Sequence, residues 1–215
     1  MYVNEYMHRD VITTTSETPL PDAEQLMLEK GIRRLPVVDD GKLVGLLTRG
    51  MIRETAGHYA TSMTRQDLND KMDTMKVKDL METQLCTVPP SATVEWAVTK
   101  AQMWNVATIL VVEGDDTPRL VGILTNTDLY RLLSEVLGFG EAGVRLHVFD
   151  LARTGSCQEV LGTIIQEGIR IKNMYRLRPP ALEKEDCILH LDTEDASRIV
   201  DTLTQKGYQV EIREC

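Results

Sequence analysis

Apolar residues fall into short blocks whose period changes along the chain, and the succession of periods predicts the elements. Apolar runs of strand length occur at Leu35 to Val38 and Lys42 to Leu47, and again at Ile109 to Val112 and Leu120 to Leu124. Polar turns too short to hide a helix join each pair. Ahead of each pair an extended run (Val11 to Thr13; Leu85 to Val88) leads through a proline-containing stretch into positions of helical spacing. These are Leu26, Met27 and Ile32 in one case, and Trp96, Ala97, Ala101 and Trp104 in the other. A second helix follows each pair. It is clearest from Asp128 to Leu137, with Leu129, Leu132, Leu133 and Val136 on one face and Gly138 at its end.

These blocks are two copies of one β-α-β-β-α unit. Val37 corresponds to Val111 at an offset of 74 (111 − 37), and Gly45 to Gly122 at 77 (122 − 45). The second copy therefore carries three more residues between its strands, within the turn chemistry of Gly114 to Arg119. Between the copies, Leu68, Met72 and Met75 stand at helical spacing in a polar, Met-rich stretch, which predicts an inserted helix packed through its methionines.

From Gly143 the period changes again. Val144, Leu146 and Val148 alternate as in a half-buried strand, and Val160, Leu161, Ile164 and Ile165 mark a helix. Alternation returns at Ile169, Ile171, Asn173 and Tyr175 and at Cys187, Leu189 and Leu191. A helix over Ala196, Ile199, Val200 and Leu203 and a strand over Tyr208, Val210 and Ile212 close the chain. The order β-α-β-β-α-β is ferredoxin-like. The segment Gly138 to Gly143 matches G-x-G-x-x-G, but a helix precedes it and a strand follows, the reverse of a dinucleotide fold. It reads as a flexible linker. The expected division is 1–54 and 77–137 for the repeats, 55–76 for the insert, 138–143 for the linker and 144–215 for the last domain.

Candidate chemistry concentrates at Gly122 to Asp128, where Thr125 ends a strand and Asp128 follows three residues later. A hydroxyl and a carboxylate at a helix N-terminus suit a sugar phosphate, and they also suit a simple capping box. The first copy keeps Thr48 but has Met51 in place of the aspartate.

The repeated unit, its Gly-aliphatic-aliphatic-Thr-x-x-Asp motif and the lead-in Val77 to Met81 resemble a pair of CBS domains, the Bateman module, over about residues 7 to 137. The resemblance implies an adenosine pocket from Met81, Leu85, Cys86, Val106, Ala107 and Thr108, with Asp128 on the ribose and Thr125 near phosphate. Arg33 and Arg34 match a basic pair that the gamma subunit of AMP-activated kinase uses for phosphate, and a solvated surface pair is the alternative. AMP, ADP, ATP and S-adenosylmethionine are the regulatory ligands implied, and no cofactor. Met51 implies a weak or empty first-repeat site.

The last segment resembles an ACT domain, which implies an amino-acid site near Arg153, Thr154, Gly155 and Asn173; Gly155 is equally a turn glycine. The fold class expected is thus α+β, a Bateman module followed by a ferredoxin-like ACT domain. This architecture is similar to that of acetoin-utilisation proteins. Both module types imply a homodimer acting on an unidentified target protein.

A net charge of −9 and a pI near 5.0 disfavour nucleic acid and acidic membrane surfaces as partners, so any anionic ligand needs a local basic cluster such as Arg33 and Arg34. No stretch reaches the length of a membrane span, which makes a soluble cytoplasmic protein the expectation. The four isolated cysteines fit neither a disulfide framework nor a zinc site. The four histidines show no metal-ligand spacing and no nucleophile elbow is present, so the expectation is a non-enzymatic regulator. A structural dimer with lapsed sites is the other reading, and an unrecognised enzyme the third.

Overall fold

The computed structural model describes residues 1–60, 64–114, 118–151, 155–178 and 185–213. They form two compact units, Met1–Leu129 and Tyr130–Cys215. The first opens with a single turn, α1 (Val3–Tyr6), and the first repeat supplies α2 (Leu20–Glu29), β1 (Arg34–Asp39), β2 (Lys42–Thr48) and α3 (Arg49–Ala60). Next come α4 (Arg65–Thr74) and a 3₁₀ turn (Val77–Asp79). The second repeat comprises β3 (Thr87–Val88), α5 (Val94–Trp104), β4 (Thr108–Glu113), β5 (Arg119–Thr125) and α6 (Asn126–Leu137), the last running from the first unit into the second.

The copies agree down to their irregularities. β1 and β2 pair antiparallel with a bulge between Val37 and Val38, and β4 and β5 do so with a bulge between Val111 and Val112, the same step 74 residues on. The expected strand over Val11 to Thr13 is reduced to one parallel bridge from Thr14 to Val37, where its counterpart β3 makes a short ladder with β4. Leu20, Ala23, Met27, Leu35, Val37, Leu47 and Ile52 form the first core, with Met72 of α4 and Met75 just after it packed against them as the methionine spacing predicts. In α5 the small residues Ala97 and Ala101 face inward with Val94 and let the helix approach its sheet. Trp96 and Trp104, expected on that face, are instead about half exposed, and Lys100 lies over both rings. Along α6, Leu132 is buried but Leu133 and Val136 are exposed.

Each repeat's lead-in crosses to the other repeat. His8 exchanges both backbone hydrogen bonds with Ile123 of β5 (2.9 and 3.0 Å), and Glu82 does the same with Leu46 of β2 (2.9 Å each way). The preceding methionine lies over a strand glycine in both places. A Cβ at Gly122 would meet Met7 Cγ at 2.9 Å, and one at Gly45 would meet Met81 Cγ at 2.9 Å. The motif glycines are therefore required for close approach rather than for turning.

The second unit continues with β6 (Val144–Val148), α7 (Ser156–Gln166), β7 (Ile171–Leu177), β8 (Asp186–Leu191), α8 (Ser197–Gln205) and β9 (Val210–Arg213). The sheet order β7-β8-β6-β9, antiparallel throughout, is the ferredoxin-like topology that the pattern predicts. One sheet face packs Leu146, Val148, Leu189 and Leu191 against Val160 and Ile164 of α7 and Ile199 and Leu203 of α8.

Residues 138–143 differ from the flexible tether expected of them. Arg145 donates to the carbonyls of Leu137 and Gly138, its guanidinium lies 5.4 Å from the Phe139 ring, and Lys172 and the fully buried His190 both contact the Ala142 carbonyl (2.8 and 3.1 Å). Gly138 and Gly143 have positive φ, and a Cβ on either would run into Asn173, His190 or the Leu191 carbonyl. The glycine spacing thus belongs to a strap lying on Arg145, His190 and Asn173, which are neighbours across β6, β8 and β7.

Candidate functional site

The crossed lead-ins place residues of both repeats around one cavity of about 370 Å³ in the first unit. Repeat 1 contributes Val11 and Ile12, then Ile32, Arg33 and Arg34, while β5 contributes Ile123 and Thr125. The lead-in residues His8, Arg9 and Asp10 complete the wall. Apolar side chains able to hold a flat base thus lie beside a strongly basic rim.

Thr125 and Asp128 are built as a cap. One Asp128 oxygen, Oδ2, accepts from the Thr125 backbone N–H (2.9 Å) and hydroxyl (2.8 Å). Its other oxygen, Oδ1, lies 2.7 Å from His8 Nε2, and the carboxylate is 3% exposed. The capping reading and the ligand reading coexist here, because the cap orients a buried carboxylate behind two cavity-lining residues. Burial, and secondarily the charge of Arg33, push the Arg34 guanidinium pKa down, while Asp128 pulls it up. Among the described residues no ion pair joins Arg33 or Arg34 to a carboxylate. Two adjacent cations, one partly buried, thus line the cavity together with Thr125, which holds the Asp128 carboxylate.

Arg33, Arg34, Thr125 and Asp128 are brought together as expected, but Met81, Leu85, Cys86, Val106, Ala107 and Thr108 do not line this cavity. They are the repeat-2 counterparts, 74 residues on, of residues that do or that flank them. Leu85 and Cys86 answer to Val11 and Ile12, and Val106 to Thr108 answer to Ile32 to Arg34. Met81 packs on Gly45, beside the half of the module that carries Thr48 and Met51. There Met51 donates its backbone N–H to the Thr48 hydroxyl (3.2 Å) and offers no carboxylate. The buried Cys86 thiol, its pKa raised chiefly by desolvation, is packing material. Asp10, Ile32, Ile123, His8, Arg9, Val11 and Ile12 lie outside the expected set. The repeat offset applied to Leu85 and Cys86 points to the last two, but only the crossing shows which copy serves which aspartate.

In the second unit Gly155 has φ +89° ahead of α7 with open space around its Cβ position, which is what a turn requires. Asn173 lies under the strap beside Gly138 and His190. Arg153 and Thr154 lie outside the described residues. His147 is a structural histidine, held between Asp186 (3.0 Å) and Arg213 (2.7 Å) and stacked on Phe149. Among the described residues no group of three or more acidic, His or Cys side chains could hold a metal ion, and no helix is long and apolar enough to cross a membrane.

Comparison with known proteins agrees with this geometry. The model of the CBS domain matches residues 3–57 and 77–135. A CBS domain-containing protein of Dictyostelium discoideum is 30% identical over 136 residues, which cover 63% of this chain and 92% of that protein. The homoserine O-acetyltransferase of Methanohalobium evestigatum is 27% identical over 135 residues, and there the chain spans only 24% of the relative's length. Among solved structures, the CBS domain pair of protein MJ0100 in complex with 5′-methylthioadenosine and S-adenosyl-L-methionine is 26% identical, with a TM-score of 0.51 over 63% of this chain and 97% of that one. CBSX2 in complex with AMP is 26% identical (TM-score 0.52; 63% and 98%). A protein of Vibrio cholerae described as acetoin-utilisation protein AcuB is 25% identical (TM-score 0.52; 66% and 98%). The two matched segments, the repeated topology and the Thr125–Asp128 site together make this chain a member of the CBS-domain family, with its two CBS domains arranged as a Bateman module.

Proposed function

We propose that the chain is a non-enzymatic regulatory sensor that binds one adenine nucleotide in the cavity between His8 and Thr125, with its ribose on Asp128 and its phosphate on Arg33 and Arg34. The observation that carries this reading is that two arginines, paired with no carboxylate among the described residues, line the same cavity as Thr125, whose backbone N–H and hydroxyl orient the buried Asp128 carboxylate. A ribose diol donates to carboxylates and a phosphate accepts from guanidinium groups, so the two ends of a nucleotide match the two ends of the site. The complexes of the similar CBS pairs with AMP and with adenosyl compounds support the ligand class. In this reading the protein is cytoplasmic and a homodimer. Binding biases the conformation of the paired repeats, and an unidentified target protein reads that change.

The βαββαβ topology of the second unit favours an ACT-type role for it, with an amino acid as a second signal. A thermal-shift panel tests both. A nucleotide at roughly a hundred times its Kd adds about 2.7 kcal/mol, worth on the order of 5–10 °C for a chain of this size. The expected result is a shift with AMP, ADP or ATP. A shift with amino acids alone would move the sensing role to the second unit.

A further inference from the structure

We infer that the inserted helix α4 and repeat 1 form a second small-molecule site, one that takes an α-amino acid with a large apolar side chain. The inference goes beyond the nucleotide reading and does not rest on it, because this site shares no residue with the cavity at Thr125.

A cavity of about 290 Å³ lies where α4 meets α2 and α3. Packed interiors leave few voids of this size. Its apolar wall draws on all three helices, with Leu20 from α2, Ile52 and Ala56 from α3, and Leu68 and Met72 from α4. Leu20 and Ile52 are buried in the first core and Met72 packs against it, so the cavity has a fixed floor. The chain just after α4 is fastened too, since the Leu20 backbone N–H donates to the Met75 carbonyl (2.9 Å). Met72 supplies the adaptable part of the wall, because an unbranched thioether repacks easily around a guest.

Three charged side chains line the same cavity, one from each helix: Glu24 from α2, Arg53 from α3 and Asp73 from α4. Among the described residues none of the three forms an ion pair. The repeat shows that the fold does not call for them. At the corresponding positions of repeat 2, Glu24 gives way to Val98 and Arg53 to Tyr130, whereas Leu20 and Ile52 stay apolar as Val94 and Leu129. The charges belong to the copy that α4 covers.

An apolar wall that also carries one guanidinium and two carboxylates suits a molecule with an apolar body and a zwitterionic head. The ligand carboxylate accepts from Arg53 and its ammonium donates to Glu24 or Asp73. A fatty acid would bring its charge to two like charges, and an aliphatic amine would bring its own to Arg53. Occupancy joins α4 to α2 and α3 through the ligand, which makes the insert responsive to a second metabolite.

The test is calorimetry of the full chain with L-leucine, with isocaproic acid, which lacks the ammonium, and with isoamylamine, which lacks the carboxylate. Leucine is expected to bind, and either truncation to weaken binding about tenfold, the weight of one hydrogen bond to a charged group. Arg53→Leu should weaken leucine by a similar factor without weakening isoamylamine. Glu24→Gln combined with Asp73→Asn should weaken leucine without weakening isocaproic acid, and circular dichroism checks that both variants are folded. Leucine affinity that is unchanged in both variants places the amino acid elsewhere, in the second unit for example, and overturns the inference. A truncated analogue that binds as tightly as leucine overturns the zwitterion class. Failure of leucine, methionine and phenylalanine alike to bind, or to move the Met72 methyl resonance, overturns the site. None of these results bears on AMP binding at Thr125, so the sensor reading stands or falls separately.

Discussion

Replacing Asp128 with alanine is expected to lower AMP affinity by about a hundredfold or more and to cost roughly 1 kcal/mol of stability through the lost helix cap. The two effects have separate origins. The carboxylate is buried and accepts from Thr125 at its backbone N–H and its hydroxyl, so its removal exposes an uncapped first turn of α6 and leaves the Thr125 N–H without its acceptor. In the proposed binding mode the same removal deletes the acceptor for the ribose hydroxyls, and alanine offers no substitute. Thermal melting reports the first effect and calorimetry below the melting transition reports the second. Thr125→Ala separates them further, since it strips one bond from Oδ2 but leaves the carboxylate in place. An Asp128→Ala protein that binds AMP as tightly as the parent would show that the aspartate is a cap and nothing more.

The double substitution Arg33→Ala with Arg34→Ala should weaken AMP, ADP and ATP by on the order of a hundredfold to a thousandfold while changing adenosine by less than about threefold. Two guanidinium groups that lie side by side, one of them partly buried, repel each other, as the downward push of Arg33 on the Arg34 pKa shows. A phosphate removes that repulsion and accepts from both. The contrast between nucleotide and nucleoside is the informative reading, because general damage to the site would weaken both equally. Added salt should weaken AMP binding to the parent chain and have little effect on the double variant, since the screened charges are then gone. Lysines at these positions should restore only part of the affinity, lacking the planar bidentate geometry of arginine. Equal losses for AMP and adenosine would assign the arginines to the pocket wall instead.

The repeat was legible because each copy is locally consistent. Strand-length apolar runs, a bulge at equivalent valines and a motif glycine recur at fixed offsets, and local pattern decides such elements. The ferredoxin-like order of the second unit was legible for the same reason. What the sequence does not carry is the crossing of the lead-ins. Met7 and Met81 look alike locally, and only the close approach at Gly122 and Gly45 places each beside the other repeat's strand. That long-range exchange puts Val11 and Ile12, rather than Leu85 and Cys86, in the cavity beside Thr125. His8 went unnoticed because a lone histidine has no pattern, and its significance appears only at 2.7 Å from Asp128. The contacts of residues 138–143 are not legible in sequence, because glycines that permit close approach, as Gly138 and Gly143 do, have the same signature as glycines that permit freedom. Trp96 and Trp104 were placed inward on hydrophobicity alone, whereas Ala97 and Ala101 give the tighter helix–sheet contact and Lys100 covers the indoles outside.

The central claim is that one half of the module, the half with Asp128, receives a nucleotide. Titration calorimetry of the unmodified chain with AMP tests it most directly, because stoichiometry shows without any substitution whether one half or both take a nucleotide. The account expects about one AMP per chain at saturation. Two equivalent AMP molecules per chain would contradict it by filling the half that has Met51, and no bound AMP would leave the Bateman module as a scaffold.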